Sequence, residues 1–208
     1  MDEFGKDRTV LVTGSDGFIG SHLVERVVDE GVKVRALVYY NSWNSLGWLT
    51  DLSAEKRGKF DVVFGDIRDS EFVQNIVKDC AYVFHLSSLI GIPYSYVAPR
   101  SYVETNVMGA LNILEACRNS SSLERLIHVS TSEVYGSAQT VPIGENHPLV
   151  GQSPYSASKI GADHLVDSYH RSFSLPMVIA RPFNTFGPRQ TARAVIPTIA
   201  SQLIAGCT

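Results

Sequence analysis

The sequence predicts a doubly wound α/β domain, in which helices cover both faces of one parallel sheet. Three observations lead to this fold class. Short apolar runs alternate with segments of helical periodicity, a pattern typical of parallel strands joined by crossover helices. The runs are almost continuously apolar, as expected of strands that are buried on both sides. A glycine-rich turn joins the first run to the first helical segment.

The predicted elements follow one another in regular order. Strands are predicted at the apolar runs, which are residues 9–14, 32–40, 60–66, 81–87, 125–131 and 176–183. Helices are predicted where apolar side chains recur at helical spacing, at residues 18–30, 68–80, 102–119, 155–173 and 191–205. Gly31 is the predicted stop of the first helix, and Asp69 is the predicted N-cap of the second.

The composition is that of a globular chain and argues against several classes of function. The 208 residues are 44% hydrophobic and 19% charged, with a formal net charge of -3. No basic stripe or basic amphipathic segment is present, so we expect neither nucleic acid nor a membrane surface as a partner. No apolar stretch is long enough to span a bilayer. The opening stretch MDEFGKDRTV lacks the apolar run of a signal peptide, so cytoplasmic localisation is expected.

The cysteines and histidines show no pattern of a metal site. Cys80, Cys117 and Cys207 are far apart in sequence and form no CxxC pair, and the histidines have no metal-ligand spacing. We therefore expect neither a zinc site nor a disulfide framework.

The stretch VTGSDGFIG carries a GxxGxxG pattern between the first strand and the first helix. Gly14 allows a tight turn, Gly17 lets a phosphate approach the backbone, and Gly20 lets the helix pack closely on the strand. The helix N-terminus then presents free N–H groups to a pyrophosphate. The alternative is a glycine-rich turn without a ligand, but the βαβ context favours dinucleotide binding. The predicted cofactor contacts of this loop are Gly14, Asp16, Gly17, Phe18, Ile19 and Gly20.

The end of the second strand lacks the acid that commonly holds the adenosine ribose. The stretch RALVYYNS places Val38 near that position. Hydrogen bonds to the ribose are instead expected from Tyr39, Tyr40, Asn41 or Ser42. No arginine follows the strand to receive a 2′-phosphate, so the sequence favours NAD over NADP.

Tyr155 and Lys159, in YSASK, lie four residues apart and share one face of the predicted helix. An ammonium close to a phenol lowers its pKa, which would make Tyr155 a base for a sugar hydroxyl. Thr131 and Glu133 follow the fifth strand, at the sheet edge where ligands bind in such folds. We expect Thr131 to hydrogen-bond the same hydroxyl and Glu133 to act as a second base. The alternatives are an ordinary surface pair, a hydroxyl bonded to its own backbone and a solvated carboxylate.

These features together resemble the extended short-chain dehydrogenase/reductase superfamily, and in particular its NAD-dependent nucleotide-sugar epimerases and dehydratases. The resemblance runs through VTGSDGFIG, GDIRD, VFHLSS, TNVMGALNILEAC, STSEVYG, YSASK and RPFNTFGPRQ, so it covers nearly the whole chain.

The resemblance implies further roles for residues at matching positions. Some would contact NAD: Asp66 and Ile67 at the adenine, Leu86, Ser87 and Ser88 along the cofactor, and Pro182 near the nicotinamide. Asn184 and Arg189 would contact the diphosphate side of the substrate, and Asn106 would be structural. The helices at 102–119 and 155–173 would form a homodimer interface, although their apolar faces could equally be core.

Glu133 indicates which reaction the resemblance implies. Glutamate at this position is common in sugar-nucleotide 4,6-dehydratases, where it removes the C5 proton, and in UDP-glucuronate decarboxylases. Many deoxythymidine-diphosphate-glucose dehydratases carry an aspartate acid where Ser132 lies, whereas GDP-mannose-type dehydratases carry serine. The sequence thus implies a 4,6-dehydratase, with 4-epimerisation and decarboxylation as alternatives.

Two stretches resemble a subgroup of 4,6-dehydratases in pathways to legionaminic-acid-type sugars. They are VYYNSWNSLGWL and GPRQTARAVIPTI, and they imply UDP- or GDP-linked N-acetylglucosamine as substrate. Family members continue into a C-terminal lobe that is largely absent here. We therefore expect residues 1–190 to form the NAD-binding domain with the catalytic residues, and residues 191–208 to begin a truncated substrate-binding lobe. A non-catalytic NAD-binding fragment is the remaining alternative.

Overall fold

Six parallel strands form one sheet in a computed structural model that describes residues 7–206. The strands are β1 (Thr9–Thr13), β2 (Lys33–Tyr39), β3 (Phe60–Gly65), β4 (Cys80–His85), β5 (Arg125–Val129) and β6 (Met177–Ala180). Their order across the sheet is β3-β2-β1-β4-β5-β6, and each neighbouring pair is parallel. The predicted doubly wound fold is confirmed. The chain reverses its direction of strand addition between β1 and β4, which is where such folds bind ligands.

Eight helices connect or follow the strands within the described residues. They are α1 (Phe18–Asp29), α2 (Ala54–Arg57), α3 (Ser70–Val77), α4 (Ile92–Val97), α5 (Pro99–Tyr102), α6 (Gly109–Arg118), α7 (Pro154–Phe173) and α8 (Val195–Ile204). Both expected helix signals are present. Gly31 has φ +77° immediately after the end of α1, and the Asp69 carboxylate accepts a hydrogen bond from the N–H of Phe72 at 3.1 Å.

Alternating side chains of the central strand divide the core into two clusters. Val10 and Val12 of β1 pack with apolar residues of α1. Leu11, between them, packs on the opposite face with residues of α3, α6 and α7. Because both faces are covered, every central position of the strand is apolar and fully buried.

The structure differs from the sequence prediction where elements are short or composite. The predicted helix at 102–119 begins earlier, in α5, and runs through a π-helical segment, Val103–Met108, into α6. A 3₁₀ turn at Gly47–Asp51, together with α2 and α4, lies where neither a strand nor a helix was predicted. These segments are too short to show a helical period in sequence.

Three structural observations concern the cysteines, the possible metal ligands and the length of the helices. Cys80 and Cys117 are buried free thiols, whereas Cys207 lies outside the described residues. Between residues 7 and 206, no group of three or more potential ligands is placed to hold a metal ion. Within the same range, each helix is too short or too polar to cross a bilayer.

Candidate active site

A cavity of about 880 Å³ lies along the carboxyl edge of the sheet. Its walls come from the loop after β1 and from the ends of β2 to β6. Most of the residues that the sequence assigned to a site line it: Gly14, Asp16, Gly17, Phe18, Ile19, Gly20, Tyr39, Asp66, Ile67, Leu86, Ser87, Ser88, Thr131, Ser132, Glu133, Tyr155, Pro182 and Asn184. Asn41, Ser42, Lys159 and Arg189 are not among the lining residues.

The glycine loop has the geometry of a pyrophosphate cradle. Gly14 adopts φ +68°, and a Cβ at this position would lie 3.0 Å from the backbone nitrogen of Ser87. A Cβ at Gly20 would collide with the carbonyl oxygen of Gly14, so the helix and the turn approach closely because both residues lack side chains. Gly17 is the N-cap of α1, and no side chain caps this end. The first N–H groups of α1 therefore remain available to an anion, and the residues fit a dinucleotide.

An ion pair lies in the part of the cavity beside the ends of β2 and β3. Asp66 pairs with Arg68 through contacts of 2.9 Å and 3.0 Å to its Nε. Burial raises the pKa of Asp66, but hydrogen bonds from Arg68 outweigh it and lower the pKa overall. The Arg68 guanidinium also lies 3.5 Å from the Tyr39 hydroxyl. This arginine lines the cavity although it follows β3 rather than β2.

Tyr40, Asn41 and Ser42, which the sequence analysis offered as contacts of the ribose, do not line the cavity. The Asn41 side chain accepts hydrogen bonds from the N–H groups of Ser45, at 2.9 Å, and Trp43, at 3.2 Å. Its amide donates to the carbonyl oxygens of Tyr39 and Ser45. These local bonds use the whole side chain to organise the loop after β2, which is the ordinary role of asparagine in turns.

Thr131, Glu133 and Tyr155 meet at the edge of the cavity. Thr131 caps the short 3₁₀ turn Ser132–Tyr135, because its hydroxyl accepts a hydrogen bond from the N–H of Glu133 at 3.2 Å. Tyr155 lies in the first turn of α7, which a capping box of Ser153 and Ser156 begins. Burial raises the pKa of Tyr155, whereas a hydrogen bond with Thr131 acts in the opposite direction. The two expected partners of the sugar hydroxyl are therefore in contact.

Lys159 does not contact the Tyr155 phenol as expected, and the expected lowering of the tyrosine pKa is absent. Its Nζ donates a hydrogen bond of 2.8 Å to the carbonyl oxygen of Val129 instead. Lys159 is 3% exposed, and burial lowers its pKa to about 8 although Asp163 acts in the opposite direction. The partner of the ammonium is thus a backbone carbonyl at the end of β5, which the i, i+4 spacing alone could not indicate.

Arg189 is directed away from the cavity and towards α1. Its guanidinium lies 2.7 Å from the Glu25 carboxylate, which also pairs with Lys56 at 3.0 Å. The neighbouring Pro188 carbonyl bonds to the ring of His22 at 3.1 Å. These contacts fasten the loop after β6 to α1, and Arg189 does not line the cavity.

A cluster of polar side chains lies between α7 and the ends of β5 and β6, next to the cavity. The Asp163 carboxylate accepts a hydrogen bond from Arg181 Nε at 2.9 Å and lies 3.6 Å from His128 Nε2. Burial lowers the pKa of His128 far below its usual value and that of His85 to about 3, so both rings are neutral. The cluster holds α7 against the ends of β5 and β6.

Sequence reasoning left out several residues that line the cavity. The most informative is Ser130, whose buried hydroxyl oxygen has no hydrogen-bond partner within the described residues. Its position at the end of β5, beside Thr131, was the available signal. Other lining residues lie in quoted stretches but were given no role, namely Trp48 in VYYNSWNSLGWL, Phe183, Thr185 and Gln190 in RPFNTFGPRQ, and Thr191 in GPRQTARAVIPTI. Ile90 and Tyr94 line the cavity from a loop and from α4, outside any motif.

Comparisons with known proteins agree with this geometry. The profile of the family described as GDP-mannose 4,6 dehydratase matches residues 11–206. A dTDP-D-glucose 4,6-dehydratase from Dictyostelium discoideum is 35% identical over 94% of this chain. The chain covers 48% of that relative, so it spans about half of its length.

Two solved structures extend the comparison to the fold. A UDP-N-acetylglucosamine 4-epimerase from Methanobrevibacter ruminantium superposes with a TM-score of 0.87 at 35% identity, over 97% of this chain and 64% of that one. A dTDP-glucose 4,6-dehydratase from Streptomyces venezuelae, solved with NAD bound, gives a TM-score of 0.82 at 31% identity, over 95% of this chain and 62% of that one. The chain therefore belongs to the GDP-mannose 4,6 dehydratase family of extended short-chain dehydrogenases/reductases.

Proposed function

We propose that the protein is an NAD-dependent nucleotide-sugar 4,6-dehydratase. The observation that carries this proposal is that Glu133 lines the same cavity as Tyr155, Thr131 and the glycine loop. Exchange of configuration at C4 needs one base for the C4 hydroxyl. Elimination across C5 and C6 needs a second group that takes the C5 proton, and we assign that role to Glu133.

In this proposal, each proton transfer of the reaction has its own residue in the cavity. Tyr155 takes the proton of the C4 hydroxyl, and the Thr131 hydroxyl orients that oxygen. Glu133 removes the proton at C5, which the neighbouring C4 ketone has made acidic, and we assign Ser132 to a hydrogen bond with the C6 hydroxyl. Of the two protons that Tyr155 and Glu133 have taken up, one leaves with the C6 hydroxyl as water and the other returns to C5. NAD, which the glycine loop would hold, would supply the reversible hydride acceptor that oxidation at C4 and reduction at C6 require. The balance is the loss of one water without net oxidation.

The proposed substrate is UDP- or GDP-linked N-acetylglucosamine. Two stretches, at residues 38–49 and 187–199, resemble the subgroup that acts on this sugar. The similar solved epimerase is named for the same sugar. Asn184 lines the cavity beyond Pro182, and we assign it to the diphosphate of the substrate. We also propose NAD rather than NADP as cofactor.

A 4-epimerase is the second candidate, because the solved UDP-N-acetylglucosamine 4-epimerase superposes closely. The two reactions give products of different mass. We would incubate the protein with NAD and, separately, UDP-N-acetylglucosamine, GDP-N-acetylglucosamine and dTDP-glucose, and analyse the products by mass spectrometry. Loss of one water is the expected result. An unchanged mass with a new C4 epimer would replace dehydration by epimerisation, and an unchanged substrate in every reaction would contradict both.

Two substitutions separate the proposed roles. Tyr155→Phe should abolish turnover and leave NAD binding intact, with the exposed Tyr96→Phe as control. Glu133→Gln should stop the reaction after oxidation at C4, whereas an epimerase would tolerate it. The exposed Glu145→Gln, in the following loop, makes the same change of charge outside the cavity.

We propose that the protein forms a homodimer through α5 to α7, the helices that the sequence indicated. Val103, Met108 and Phe173 of these helices keep 50%, 46% and 46% of their surface exposed, although each is apolar. Sedimentation equilibrium should give twice the monomer mass, and Val103→Glu should shift it to the monomer. A monomer at every concentration would contradict the proposal.

A further inference from the structure

We infer that Asp16, in the glycine loop, is the carboxylate that holds the adenosine ribose and selects NAD against NADP. This inference rests on the proposed function only in that the cavity binds a dinucleotide. It assigns to a loop residue the role that an acid at the end of the second strand has in most folds of this kind.

The end of β2 offers no acid of its own. Its last residues are Val38, which is fully buried, and Tyr39, which is 58% exposed. The adenosine ribose lies beside this strand end in doubly wound folds. A group that recognises its hydroxyls must therefore reach the place from another element.

Asp16 reaches this place from the glycine loop. The N–H of Ser15 bonds to the carbonyl oxygen of Leu37 at 3.0 Å, which joins the loop to β2. The pairing of β1 with β2 ends at Thr13 and Leu37, so the N–H of Tyr39 has no partner on β1. The Asp16 carboxylate accepts a hydrogen bond from that N–H and lines the cavity. The carboxylate therefore stands at the tip of β2.

The chain after β2 fixes the backbone of Asp16 from the other side. The N–H of Trp48 donates to the Asp16 carbonyl oxygen at 3.0 Å. Gly47 passes so close that a Cβ there would lie 2.8 Å from the Asp16 Cβ. Gly47 also has φ +54°, which favours glycine. Asp16 is thus held between β2 and the segment that contains Gly47 and Trp48. This arrangement fixes the direction in which its carboxylate points.

The charges around this carboxylate are unfavourable for a 2′-phosphate. The charged residues that line the cavity are Asp16, Asp66, Glu133 and Arg68. The guanidinium of Arg68, the single cation among them, is engaged by both oxygens of Asp66. A ribose 2′-hydroxyl can donate to the Asp16 carboxylate, whereas a 2′-phosphate would meet like charge without a free cation.

Binding of the free dinucleotides tests this inference without sugar or turnover. We would remove bound nucleotide and measure the Kd of NAD and of NADP by calorimetry at pH 8 and fixed salt. Asp16→Asn and Asp16→Ser should weaken NAD about tenfold and leave NADP unchanged or tighter, as expected for the loss of one charge-assisted hydrogen bond. The preference for NAD then falls by at least about tenfold. The exposed Asp51→Asn, outside the cavity, should keep the wild-type preference.

The possible outcomes separate this inference from the proposed function. Wild-type protein that prefers NAD, with the preference unchanged in both Asp16 variants, would overturn the role of Asp16 and leave the proposed function standing. A larger change in Arg68→Gln than in Asp16→Asn would also overturn it, since the cation would then set the preference. Wild-type protein that binds neither dinucleotide would contradict both.

Discussion

Replacing Lys159 by methionine should remove a pH-dependent penalty on folding. The two side chains are similar in length, so the main change is the loss of the buried ammonium. In the folded protein burial lowers the pKa of Lys159 from 10.5 to about 8. That difference corresponds to roughly 3 kcal/mol of unfavourable burial of the charged form.

The sign of the pH dependence follows from the direction of this change. Between about pH 8 and pH 10.5 the unfolded chain binds the Lys159 proton more tightly than the folded protein does. The contribution of Lys159 to the free energy of unfolding of the wild type therefore rises with pH in this range. Lys159→Met lacks this contribution, so we expect the wild type to gain roughly 2–3 kcal/mol relative to the variant between pH 7 and pH 10.

Urea denaturation at several pH values measures this difference directly. Other titrating groups are common to both proteins and cancel in the comparison. Lys33→Met, at an exposed position of β2, is the control, and its difference from the wild type should not vary with pH. Parallel curves for the wild type and Lys159→Met from pH 7 to pH 10 would refute the reasoning, because the ammonium would then be as favourable in the folded protein as in water.

Two further substitutions address the loop and the buried cluster. Gly20→Ala should weaken NAD binding about tenfold or more in calorimetry, because the new methyl group forces α1 away from the turn. Gly144→Ala, with open space around the position, should bind normally, and equal affinities would argue against the cradle. Asp163→Asn should lower the free energy of unfolding by about 3 kcal/mol, since it removes the counter-charge of the partly buried Arg181 and of the buried Lys159. The exposed Asp167→Asn on the same helix should cost less than about 1 kcal/mol, and similar losses in both variants would contradict the burial argument.

The sheet could be predicted because each strand produces a local apolar pattern in the sequence. Apolar runs mark all six strands, and the fold rules leave few ways to arrange them. The composite helix from α5 to α6 could not be predicted in the same way. Its π-helical segment contains Asn106, whose side chain binds both backbone groups of Leu89 and the hydroxyl of Ser158. Partners so distant in sequence leave no periodic signal.

The same distinction divides the candidate site. Gly14, Thr131 and Tyr155 lie where a strand ends or a helix begins, so their place at the cavity follows from the order of the elements. Arg189 and Lys159 are long side chains whose direction depends on what they meet. Arg189 forms an ion pair with Glu25, which is 164 positions away in the chain. No local sequence pattern predicts that pair.

The hydroxyl-rich end of β5 shows how a buried sheet tolerates polar side chains. The backbone continues to pair with β6 beyond the last strand residue, since the N–H groups of Ser130 and Ser132 donate to the carbonyl oxygens of Ala180 and Pro182 at 2.8 Å and 3.0 Å. These two N–H groups are therefore satisfied by the backbone of the neighbouring chain segment and need no side-chain partner. Ser130, Thr131, Ser132 and Glu133 all line the cavity, where water or a substrate hydroxyl can pair with them. Their polarity costs little at this edge of the sheet. The same four residues in the middle of β5 would be buried without hydrogen-bond partners.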